Sequence, residues 1–168
     1  MKAAGIILAV AAALALQTTL ARYVRGTVAV NLVLVVVVYV ALISGPVTGL
    51  LTGTFAGLAQ DALATGVIGI GGLAKTLVGF LTGIIGTQFI VAQSLPRFFV
   101  FFCATLLHAA VFIGLYTLLD LRHFGAPYGA VTRQAAANAA VGVVAFQIVE
   151  LLPGAVERRR AAKGRLRR

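Results

Sequence analysis

The stretch "GPVTGLLTGTFAGLAQDALATGVIGIGGLAKTLVGFLTG", residues 45–83, decides how this chain folds. Gly45, Gly49, Gly53 and Gly57 recur at every fourth position, and Asp61 is the next member of the series. Beyond the connection "ATGVIGIGG", residues 64–72, Lys75, Gly79 and Gly83 repeat the spacing. Residues four apart share a helix face, so each half presents a ladder of small residues that ends in a charge. Ladders of this kind let two helices approach backbone to backbone, as packed membrane helices do. The expectation is an antiparallel hairpin of one helix from Pro46 to about Leu63 and another from Leu73 to about Gln93. In it Gly57 comes level with Gly79, Gly53 comes level with Gly83, and both charges meet at the turn.

The rest of the chain says which solvent this hairpin occupies. Of 168 residues, 61% are hydrophobic and 11% charged, which is outside the balance of a soluble domain and fits a bilayer. A spanning helix needs roughly 20 apolar residues, so the length admits one compact unit and no separate soluble domain. Apolar segments run over residues 3–21, from near Thr27 to 44, from about 98 to Leu119 after the break "QSLPR" at 93–97, and from Ala130 to Leu152. With the hairpin they make six spans. The expected fold is therefore all-α, a polytopic bundle of six transmembrane helices over residues 1–153, followed by a basic tail at 154–168. The last segment carries Arg133, Asn138 and Glu150, and so should pack within the bundle. A rival reading of the N-terminus is a secretory signal ending at "ALA", residues 13–15, which would leave five helices.

Charge sets the orientation. Seven of the fourteen basic residues lie at Arg158, Arg159, Arg160, Lys163, Arg165, Arg167 and Arg168. The positive-inside rule puts this tail in the cytoplasm, so six spans put both termini there. Arg97 agrees, whereas Arg22, Arg25 and Arg122 fall in outer loops by parity. A basic tail leaving a membrane helix meets anionic lipid headgroups first, so the partner it implies is the membrane surface and not nucleic acid.

Asp61 at a helix C-terminus and Lys75 at a helix N-terminus both oppose the helix macrodipole, and each is the other's nearest candidate partner. The pair reads either as a structural clasp or as a site for docking a partner or ligand. Gly49, Gly53, Gly57, Gly79 and Gly83 are the packing contacts of the hairpin. His108 in the fifth segment fits an interhelical hydrogen bond or a proton or ligand role. Asn31 and Asn138 fit packing contacts in the bundle or binding groups. The single cysteine, Cys103, excludes a disulfide framework. His108 and His123 are isolated, and Ser44 and Ser94 have no nearby base, so no metal centre, cofactor site or catalytic constellation is expected and the chain reads as non-enzymatic.

Residues 53–85, with the Gly-rich helix, Asp61, Thr65–Gly66, Gly69 and Phe80, resemble the characteristic segment of the rod shape-determining protein MreD family. "VNLVLVVVVYVAL", 30–42, looks like the family's second segment, although members often have proline where Val30 stands. "AAANAAVGVV", 135–144, looks like its last helix, and a basic C-terminal tail is usual. The resemblance implies a multi-pass inner-membrane scaffold or regulator of the bacterial elongation machinery for peptidoglycan synthesis. It further implies work alongside MreC, the actin-like MreB, the glycosyltransferase RodA and its penicillin-binding transpeptidase, with no established catalytic activity. The alternative is a substrate-binding S component of an energy-coupling-factor vitamin transporter, also a small six-helix protein. Such components line a ligand cavity with aromatic and polar groups, whereas this chain has no Trp and 8% aromatic residues, concentrated in "RFFVFF" at 97–102.

Overall fold

The structure is a computed structural model that describes residues 3–23, 30–64, 67–88, 93–121 and 128–151; the side chains of 20–23 lie outside that description. The described residues form six helices: α1 (Ala3–Tyr23), α2 (Leu32–Ser44), α3 (Pro46–Leu63), α4 (Ile70–Gln88), α5 (Ser94–Leu118) and α6 (Tyr128–Leu151). The chain is all-α, and α4, α5 and α6 are each long and apolar enough to cross a membrane. Ala3–Thr19 and α2 are apolar but shorter. The basic tail, Arg25, Arg122, His123 and the Thr65–Gly66 pair lie outside the described residues.

The centre of the bundle is α2, which touches all five other helices. Its sequence "LVLVVVVYVALIS" is apolar on every face, as a helix surrounded by protein must be, and Val33, Leu34, Val35, Val37, Val38, Val40 and Ala41 are buried. On one side Leu34, Val35 and Val38 join Val78 of α4, Phe101 and Ala104 of α5, and Ala139 and Phe146 of α6. On the other, Val33 and Val37 meet Ala13 of α1 and Ala56 of α3. The helix is shorter than the expected span from Thr27. Asn31 leaves helical geometry and its side chain accepts the Leu34 amide at 3.0 Å, so the first turn is capped there. At the other end Gly45 adopts φ +88°, a backbone conformation that residues with a Cβ rarely adopt, and Pro46 starts α3 in the first-turn position open to proline.

The glycine ladders of α3 and α4 do face each other, but in a different register from the expected one. A methyl group on Gly49 would run into the Gly79 carbonyl, one on Gly53 into the Lys75 carbonyl, and one on Gly57 into the Gly72 backbone. Gly83 lies against Pro46. The register is thus shifted by seven to eight residues, about two turns, from the pairing of Gly57 with Gly79 and Gly53 with Gly83. The cause is at the turn: α4 begins at Ile70, ahead of the Leu73 expected, and Gly69 closes the connection at φ +108°. The ladder of α4 therefore continues through Gly72 and Gly71 instead of ending at Lys75. Thr54 and Thr76 stitch the same interface with their hydroxyls 2.8 Å apart.

The break expected at 93–97 is narrower at this end: α4 ends at Gln88, Gln93 is the extended N-cap of α5, and Ser94 to Arg97 form the first turn of α5. Pro96 is tolerated there since the amides of a first turn have no intrahelical partner to lose. In the α5–α6 hairpin, Gly142 leaves the space that the Phe101 ring fills.

Candidate functional site

The turn of the α3–α4 hairpin gathers the charged residues that the sequence singles out. Asp61 is buried in the last turn of α3. Its Oδ2 accepts the Gly69 amide at 2.9 Å and the Gly72 amide at 3.0 Å. These are amides of the N-terminal end of α4, which have no carbonyl partner in their own helix. The carboxylate also sits at the positive end of the α4 macrodipole, so the compensation that Asp61 requires comes from a helix terminus and not from a cation.

No ion-pair contact joins Asp61 to Lys75, which corrects the expected clasp. The register explains why. Lys75 lies opposite Gly53, eight residues and roughly 12 Å of helix rise from Asp61. Its side chain is buried, with 2% of the residue exposed, and remains within electrostatic reach of Asp61 without touching it.

His108 is buried on the inner face of α5, its ring stacked on Phe112 at 5.9 Å between centroids. The interhelical hydrogen bond expected of it does not form at Nε2, which is buried without a partner among the described residues. Asn31 and Asn138, in contrast, meet directly. The Asn138 Oδ1 accepts the Asn31 amide at 2.9 Å, while its Nδ2 donates to Thr105 Oγ1 at 3.2 Å. Thr105 in turn donates to the Phe101 carbonyl. One fully buried amide thus ties the start of α2 to α5 and α6, the use of an Asn that membrane helix packing favours.

Sequence reasoning missed the ion pair that does form. Arg97 in the first turn of α5 is buried and makes a two-pronged contact with Glu150 at the end of α6, at 3.0 and 2.6 Å. Its guanidinium also lies 4.5 Å from the centre of the Phe146 ring. The signal was present: opposite charges at the start and end of consecutive antiparallel helices fall at the same depth. Among the described residues no group of three metal-ligating side chains gathers.

A family model described as rod shape-determining protein MreD matches residues 3–154. No curated protein and no solved structure matches the chain.

Proposed function

The chain belongs to the MreD family of rod shape-determining proteins, and from that premise we propose that it is a non-enzymatic scaffold and regulator of the bacterial cell-elongation machinery. In this reading all six helices span the inner membrane, both termini are cytoplasmic, and the basic tail lies against anionic lipid. The observation that carries it is the extent of the family match, which runs through all six helices. The geometry supports it as well, because a scaffold needs surfaces held in fixed relation. The α3–α4 backbones are locked by interleaved glycines, and α2 is clamped from every side.

The proposed partners are MreC first, then RodA with its penicillin-binding transpeptidase, and MreB. The docking role of Asp61 takes an indirect form. Its carboxylate holds the hairpin turn, and the turn presents exposed Val67 and Ile68 to a partner. Affinity purification from native membranes, read by mass spectrometry, tests the proposal. Recovery of MreC and the synthase pair is the expected result, while recovery of energy-coupling ATPases in their place would overturn it.

A further inference from the structure

The interior of the bundle holds a cation that no described residue neutralises by contact. Lys75 is 2% exposed, and among the described residues its ammonium makes no ion pair and its donors have no hydrogen-bond acceptor. The nearest carboxylate, Asp61, already serves the α4 amides. A buried charge in that position is unfavourable unless something else completes its coordination.

A second unsatisfied group lies in the same layer. Val78 of α4 and Ala104 of α5 share one cluster at the bundle centre. Lys75 is one turn from Val78, and His108 is one turn from Ala104, both in the direction of the α3–α4 turn. The imidazole of His108 is buried on the inner face of α5, and its Nε2 has no partner among the described residues. The hydroxyl of Thr105 lies one turn below His108 on the same buried face. Lys75 offers only donors, and an imidazole with Nε2–H offers another, so the group that completes both is an acceptor bearing negative charge.

We propose that Lys75 and His108 form an intramembrane binding site for a single oxyanion, a phosphate or carboxylate, held between α4 and α5. The same chemistry is available from the phosphodiester of an anionic lipid headgroup and from a free anion, and the test separates them. Purified protein is placed in nanodiscs of phosphatidylcholine alone or mixed with phosphatidylglycerol, with or without added inorganic phosphate. Retained lipid is read by native mass spectrometry and stability by the unfolding midpoint. Lys75→Met is expected to fold, since it removes an unpartnered charge and strands no other group. His108→Gln, which keeps an amide donor, serves as the milder second variant.

The expected result is phosphatidylglycerol retained by the native chain in preference to phosphatidylcholine, with that preference reduced roughly tenfold or more in Lys75→Met and less in His108→Gln. A rise in midpoint with inorganic phosphate in phosphatidylcholine discs, lost in Lys75→Met, would support the site with a free anion as its occupant. No anion dependence in the native chain, or the same dependence in Lys75→Met, would overturn it.

Discussion

At the scale of single residues, Asp61 acts on α4 as a capping side chain acts on its own helix, from eight and eleven positions away in the chain. Removing it should strand the Gly69 and Gly72 amides. Asp61→Ala is expected to cost about 1–3 kcal/mol, and Asp61→Asn, which keeps an acceptor oxygen, less. Thermal unfolding in detergent measures both, and an Asp61→Ala protein that melts like the native one would refute the cap. Arg97 and Glu150 make a second residue-scale case. Glu150 is partly exposed, with 34% of its side chain accessible, so deleting it should cost less than the roughly 3–5 kcal/mol of breaking a fully buried pair. A cycle through Arg97→Leu, Glu150→Leu and the double variant should show coupling, with the double variant less destabilised than the sum of the two singles. Additive losses would mean that the contact contributes nothing of its own.

At the scale of elements, the α3–α4 hairpin shows both what the sequence discloses and where it stops. The spacing of Gly49, Gly53, Gly57, Gly79 and Gly83 names the two faces that meet, because period and residue size are properties of the sequence itself. It does not set the register, which depends on how many residues the turn consumes. That number follows from Gly69 at positive φ and from the Asp61 cap, both tertiary facts. The two registers make opposite predictions for engineered cysteines in a Cys103→Ser background. Thr54→Cys with Thr76→Cys should oxidise readily, since those hydroxyls are 2.8 Å apart. Thr54→Cys with Thr82→Cys, neighbours in the register expected from sequence, should keep free thiols. Gly53→Leu should force the helices apart at a cost of ~1–3 kcal/mol or more. Unfolding of the purified variant checks this, and a native midpoint would mean that the faces do not touch.

At the scale of the whole molecule, the number and order of the described helices were legible from hydropathy, because the connections before α2, α3, α4 and α6 are polar or carry glycine, whereas the one before α5, "FIVAQ" at 89–93, is mostly apolar and drew the expected break too far along the chain. The central place of α2 was legible only in hindsight, in the absence of any polar face along "LVLVVVVYVALIS". The meeting of Asn31 with Asn138, and of Arg97 with Glu150, was not, since residue type says that a polar group needs a partner without saying which one. The proposed topology, six spans with both ends cytoplasmic, predicts that a periplasmic phosphatase fused at Arg168 is inactive and one fused near Gly125 is active. An active fusion at Arg168 would reverse the orientation, and an inactive one near Gly125 would remove the sixth span. The amide of Asn31 has a further consequence, in time instead of space. Its acceptor lies 107 residues downstream, in α6, the last of the described helices. At synthesis rates of about 5–20 residues per second, the start of α2 waits roughly 5–20 s for Asn138 to emerge. Arg97 waits in the same way for Glu150. In the proposed six-span topology, the described helices made before α6 form a nascent intermediate with unmet polar groups inside the membrane until α6 arrives. The arrival of α6 closes both contacts, so a chain stopped before Asn138 should persist as a substrate for membrane proteolysis and not as a smaller working bundle.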